Sequence, residues 1–108
     1  MAYRVIFRPN AEREVKRFSL DVQSRIMTEI LALAETPRPS AAIKLKGSEN
    51  LYRIRVGDYR VIYSVEDDLV VVVVVEVGNR KEIYRKPDKK LTRHSLREFI
   101  KKAIRQSD

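Results

Sequence analysis

The sequence has 108 residues, 44% hydrophobic and 35% charged, with a formal net charge of +8, which fits one domain around one modest core. The absence of cysteine excludes disulfides and thiolate metal sites, and a single histidine, His94, argues against a histidine-based zinc site, so no metal or cofactor is expected. The longest apolar run, Leu69–Val75, is too short to cross a bilayer, and Met1-Ala2-Tyr3-Arg4 leads into alternating strand instead of a signal peptide, so no membrane partner is expected.

Tyr3 to Phe7 alternates and predicts a strand with Tyr3, Val5 and Phe7 on one face. Pro9 suits a first helical turn, and Ala11, Val15 and Phe18 recur at helical spacing. After a break at Phe18-Ser19-Leu20, a longer helix is predicted from about Asp21 to Glu35, with Val22, Ile26, Ile30 and Leu33 on one face. Pro37 and Pro39 end it. The two helices form a hairpin whose apolar stripe can cover a sheet.

Ile43 to Lys46 reads as a short edge or loop. Strands follow at Leu51–Val56, Tyr59–Val65 and Leu69–Val77, joined by a two-residue turn at Gly57-Asp58 and a second at Asp67-Asp68. Gly78-Asn79 interrupts the third strand, and Lys81–Tyr84 reads as a short final one. Six consecutive valines, Val70 to Val75, do not alternate with polar residues, which predicts a central strand covered on both faces. The helical hairpin supplies one cover. The C-terminal segment is the candidate for the other: Leu96, Phe99, Ile100, Ala103 and Ile104 form a helical stripe, and Ser95-Leu96-Arg97-Glu98 has capping-box spacing. The fold class is α+β: a strand, a helical hairpin, an antiparallel meander and a basic C-terminal helix.

Charge is concentrated at the end of the chain. Residues 85–108 carry nine Lys/Arg against three Asp/Glu, whereas residues 1–84 carry fourteen against twelve. A pI near 10.0 favours a polyanionic partner, most simply nucleic acid; the alternative is a solubilising excess.

The stretch LYRIRVGDYR carries the chemistry. A Gly57-Asp58 loop sets Val56 across from Tyr59, Arg55 from Arg60, Ile54 from Val61 and Arg53 from Ile62. Cross-strand partners share a face, as do residues two apart. Arg53, Arg55 and Arg60 therefore gather on one face, with Tyr52, Ile54, Val56, Val61 and Tyr63 on the other. Like charges set opposite each other repel. Either Glu49, Glu66 or Glu76 neutralises them, or they splay into water, or an anion such as a phosphodiester sits between them. Continuing the register sets Arg60 across from Val75, so that Val75 and Val77 share the arginine face. Arg80 then joins that face only if a bulge, for which Gly78 is the candidate, shifts the alternation by one residue.

LYRIRVGDYRVIY followed by VVVVVVEVGNRKEIYR, together with the first sixteen residues and a helical hairpin ending in ETPRP, resembles the RelE branch of the RelE/ParE toxin superfamily. The likeness covers residues 1–86 as a toxin domain, with 87–108 as a basic amphipathic helix belonging to the same domain. It implies the toxin of a type II toxin–antitoxin pair in the cytoplasm, an endoribonuclease that enters the ribosomal A site and cuts mRNA without metal. The partners it implies are a cognate antitoxin, the 70S ribosome and mRNA. By the same resemblance Arg53, Arg55, Arg60, Arg80 and Tyr84 are the catalytic set. Arg60 would contact phosphate, Arg80 would stabilise charge or donate a proton, and Tyr84 would stack on a base or assist proton transfer. Lys44, Lys46, Lys81, Arg85, Lys89, Lys90, Arg97 and Lys101 are the candidate RNA and ribosome contacts.

Two departures stand out. The best-known relatives have lysines where this chain has Arg53 and Arg55. A lysine can be tuned into a base, whereas a guanidinium keeps its proton, so these positions suit phosphate clamping better than proton abstraction. Many relatives also end near the tyrosine, whereas a basic helix follows here, either packed over the valine face, acting as a mobile cover, or contacting ribosomal RNA. The alternative functions are a ParE-like, non-enzymatic inhibitor of DNA gyrase and a general nucleic-acid-binding module led by the tail helix.

Overall fold

The computed structural model describes residues 2–48, 50–79 and 92–106. Alternation in β1 (Arg4–Phe7) sends Val5 and Phe7 into one core and Ile6 into another. Helix α1 (Pro9–Lys16) starts on Pro9, whose missing N–H has no intrahelical partner to lose, and buries Ala11 and Val15. The Ser19 side chain ends the break by accepting from the Val22 N–H at 3.3 Å, which caps α2 (Leu20–Ala32). This helix stops short of Glu35: Leu33, Ala34 and Glu35 each donate to the carbonyl three residues back, a tighter turn leading into Pro37. Ile26, Ile30 and Leu33 are buried, as their spacing requires.

The sheet contains β2 (Ile43–Lys44), β3 (Leu51–Val56), β4 (Tyr59–Glu66) and β5 (Val71–Asn79), in the order β1-β5-β4-β3-β2. Strands β2 to β5 form the antiparallel meander. β1 joins from the far end, parallel to β5, with Arg4 across from Val71 and Phe7 from Val74. Strand β5 is thus internal, and the valine run is covered on both faces. Val72, Val74 and Val77 pack with the helical hairpin. Val71, Val73 and Val75 pack beneath α3 (Arg93–Gln106), where Leu96 and Ile100 are buried. Burial of two such side chains contributes roughly 1.5–3 kcal/mol each.

The β3–β4 register follows the glycine turn: Gly57 has φ 60°, and Arg55 faces Arg60. The β4–β5 register differs from expectation. The turn has four residues, Asp67 to Val70, closed by the Leu69 N–H on the Glu66 carbonyl and the Val70 N–H on the Asp67 carbonyl. Val70 is drawn out of the strand into the left-handed region, φ 54°, where its own carbonyl accepts from the Arg4 N–H at 2.9 Å and opens the ladder to β1. A bulge then lies at Val75, because Tyr63 pairs with Val74 and Ile62 with Glu76. The Asn10 side chain donates to the Val75 carbonyl at 3.1 Å. Turn and bulge together set Arg60 across from Gly78, not Val75, and Val77 turns to the helical hairpin, away from Val75. Gly78-Asn79 continues β5 and does not break it.

The capping motif of α3 also sits three residues earlier than expected. Thr92 and Ser95 cap each other, each side-chain oxygen accepting the other's backbone N–H at 3.0 Å. The expected strand at Lys81–Tyr84 lies outside the described residues. Among the described residues, no helix is long and apolar enough to cross a membrane.

Candidate nucleic-acid interface

The face of the sheet that carries the arginines has two ends. Toward the β4–β5 turn it is apolar, with Leu51, Ile62, Val71, Val73 and Val75 beneath α3. Toward the β3–β4 turn it is cationic. Arg55 and Arg60 are direct cross-strand partners, and Arg53, across from Ile62, stands at the boundary. Arg60 is buried, and its Nη1 donates to the Tyr59 carbonyl at 3.2 Å. Arg55 is exposed, with its Nε donating to the Gly57 carbonyl at 3.1 Å. Gly78 has no side chain to fill the space across from Arg60.

Among the described residues no carboxylate forms an ion pair with Arg53, Arg55 or Arg60. Glu66 is held at the other end of the face. Glu76 lines a groove of about 640 Å³ between α1 and β5, with Asn10, Arg13 and Arg17. Glu49 lies outside the described residues. The paired guanidiniums therefore repel across the ribbon unless an anion joins them. A phosphate suits them, since guanidinium forks make paired, charge-assisted hydrogen bonds to its oxygens.

The other expected residues are scattered. Lys44 is exposed but faces Tyr52, which places it on the opposite side of the sheet from the arginines. Lys46 is exposed in the loop after β2. Lys101 is exposed, 3.7 Å from Glu98. Arg97 is committed to carboxylates: its Nη1 and Nη2 bond Asp68 at 3.2 and 2.7 Å, and Nη1 lies 3.4 Å from Glu66. Arg80, Tyr84, Lys81, Arg85, Lys89 and Lys90 lie outside the described residues. Among the described residues no group of three or more His, Cys, Asp or Glu side chains is placed to hold a metal.

Glu66, a candidate neutraliser of Arg53, Arg55 and Arg60, and its neighbours Asp67 and Asp68 instead build two anchors at the β4–β5 turn. Glu66 is fully buried, accepts from Asn50 Nδ2 at 2.5 Å and lies 3.5 Å from Arg93, so it anchors α3 to the sheet. On the other side of the same turn, Arg38 forks onto Asp67 at 3.1 and 2.7 Å and donates Nε to the Tyr52 hydroxyl at 2.9 Å. The Tyr3 hydroxyl donates to Asp67 at 2.6 Å. Arg38 and Tyr3 hold the Asp67 carboxyl below its ordinary range, and Arg97 does the same for Asp68. The Tyr63 hydroxyl, pushed up to about 12 chiefly by burial, donates to the Pro37 carbonyl at 2.7 Å. An acidic residue beside a turn reads as solvated, and the anchoring partners, Arg38, Arg93 and Arg97, are distant in the chain.

Comparison with known proteins places this architecture. A family described as the ParE toxin of the type II toxin–antitoxin system, parDE, matches residues 5–84. The chain belongs to the RelE/ParE toxin family. The mRNA interferase toxin RelE of Escherichia coli K12 is 33% identical over 95 residues, which covers 84% of this chain and 99% of that protein. Among solved structures, the isolated E. coli RelE toxin superposes with a TM-score of 0.67 at 33% identity, covering 77% of this chain and 92% of the other. RelE in the archaeal RelE–RelB complex of Pyrococcus horikoshii gives 0.67 at 31% identity, covering 76% and 99%. Within the RelE/ParE toxins the arginine ribbon of this chain thus sits on the family's own scaffold.

Proposed function

We propose that this chain is the toxin of a type II toxin–antitoxin system, a metal-independent endoribonuclease that cuts mRNA in the ribosomal A site and so inhibits translation. The observation that carries the reading is the Arg55–Arg60 cross-strand pair, with Arg53 beside it and no carboxylate joined to it among the described residues. The messenger's 2′-hydroxyl attacks the adjacent phosphate. The O2′–P bond forms and the P–O5′ bond breaks, leaving a 2′,3′-cyclic phosphate and a 5′-hydroxyl. The 2′-hydroxyl proton passes to a base, and the departing oxygen receives one from an acid. Arg60 suits the non-bridging oxygens, where charge builds in the transition state. Arg53 and Arg55 clamp the flanking backbone. Arg80 and Tyr84 take charge-stabilising, stacking or proton-transfer roles by resemblance.

Activity on ribosomes places the protein in the cytoplasm, with a cognate antitoxin as its protein partner. Relatives solved as RelE–RelB complexes support that partner. An acidic or amphipathic antitoxin segment laid on the basic face would satisfy the arginines and could displace the C-terminal helix. The packing of α3 on the sheet supports treating residues 87–108 as part of one domain with 1–86. Lys44 and Lys46 are exposed and can meet ribosomal RNA, Lys101 does so from its surface pair with Glu98, and Arg97 serves the attachment of α3.

Induction in bacteria without the antitoxin, followed by mapping of mRNA 5′ ends, tests the reading. Codon-phased cuts are expected, and intact messages under growth arrest would overturn it. The matching family is named for ParE, and a ParE-like inhibitor of DNA gyrase is the second reading. Inhibition of supercoiling by purified protein that leaves programmed ribosomes uncut would establish that reading instead.

A further inference from the structure

We infer that Arg25, on α2, extends the cationic ribbon around the β3–β4 turn and forms with Arg55 a further phosphate-binding site. Two distances bring the cations together. Arg25 Nη2 lies 3.4 Å from where a Cβ on Gly57 would stand, and Arg55 Nε donates to the Gly57 carbonyl at 3.1 Å. Two guanidiniums from different elements thus converge on one glycine. Gly57 has no side chain, and the Arg25 guanidinium lies against the space a Cβ would take.

The two arginines line a groove of about 410 Å³ that also contains Ser24, Thr28, Glu29 and Val56. Both are exposed, and among the described residues no carboxylate is ion-paired to either, although Glu29 borders the same groove. Stability does not explain the arrangement, because like charges brought together repel. An anion bridging two forks does explain it. Val56, buried in the groove wall, and the free Ser24 side of α2 leave room for a backbone to lie along the β3 edge, where β2 pairs only as far as Arg53. The ligand is a phosphodiester of RNA, either of the messenger or of the ribosome.

The inference rests on the ribosomal reading, and binding separates the two. Full-length protein and its Arg25→Gln variant are titrated, over a salt series, onto vacant ribosomes and onto ribosomes carrying mRNA with 2′-deoxyribose in the A-site codon. The sugar blocks cleavage, so binding alone is measured. Arg25→Gln is expected to weaken binding about three- to tenfold and to reduce the slope of log affinity against log salt by about 0.7–0.9, the signature of one lost phosphate contact. Arg25→Lys should keep most of the slope. Equal loss on vacant and programmed ribosomes assigns the phosphate to ribosomal RNA, and loss on programmed ribosomes alone assigns it to the messenger; either supports the site. On unmodified mRNA the variant should raise KM and leave kcat unchanged. Wild-type affinity and slope for Arg25→Gln on both ribosomes overturn the inference. Wild-type protein that binds but never cuts overturns the nuclease reading, while a lost slope in the variant still supports the site.

Discussion

One face of the sheet uses arginine in two opposite ways. At the β4–β5 turn, Arg93 and Arg97 reach from α3 onto Glu66 and Asp68, so the cations there meet carboxylates. At the β3–β4 turn, Arg53, Arg55 and Arg60 stand together with only backbone carbonyls for partners among the described residues. The first end is electrostatically complete and holds a helix. The second is incomplete and is held in place by strand register. A residue type alone therefore says little; its function is set by whether the fold also supplies the opposite charge.

The largest expected effect lies at the incomplete end. Arg60→Ala should lower single-turnover cleavage on programmed ribosomes by about 10²–10³-fold, the loss typical of one transition-state charge contact, with the circular dichroism spectrum unchanged. Near-full cleavage would erase the distinction between the two ends. At the complete end, Glu66→Ala removes the buried carboxylate that Asn50, Arg93 and Arg97 meet, while Asp68 still holds Arg97. Urea unfolding should show a loss of about 1–3 kcal/mol, and amide exchange should show α3 losing protection before the sheet. Unaltered stability would mean that apolar packing alone seats the helix.

A smaller effect tests the backbone of the turn that carries those carboxylates. Val70 is a β-branched residue at φ 54°, so Val70→Gly should stabilise the fold by about 0.5–1 kcal/mol, read as a higher denaturation midpoint at unchanged m-value. The least effect is expected in the acid limb. Asp67 and Asp68 both titrate below their ordinary value of 3.8 in the folded state. Their contribution is complete above that value and fades as pH falls through the lower folded values. Asp67→Asn and Asp68→Asn should therefore lower stability slightly at neutrality and flatten its decline below about pH 4, so that variant and wild type converge in acid.

Much of this was legible because local chemistry decided it. Gly57-Asp58 sets the β3–β4 hairpin, so the Arg55–Arg60 pair could be derived residue by residue. The i, i+4 spacing of Ile26 and Ile30 reads as a buried stripe without help from the rest of the chain. The β4–β5 register was hidden because six valines carry no period, so neither the loss of Val70 to the turn nor the bulge at Val75 leaves a mark. The parallel pairing of β1 with β5, the burial of Glu66 and the approach of Arg25 to Gly57 are long-range events. Each depends on which element packs where, which a single residue's neighbours do not encode.

The placement of β1 has a consequence for how the molecule comes into being. Among the described residues its one ladder partner is β5, so Arg4 waits for Val71. A chain emerging from the ribosome N-terminus first carries this strand unpaired through the synthesis of both helices and the first hairpin. Closing so long a loop is entropically slow, and topologies rich in distant contacts fold slowly. The Arg55–Arg60 hairpin is the opposite, a local event that can form as soon as its own two strands are free. The cationic ribbon is thus assembled early, and the sheet that steadies it is sealed at the end.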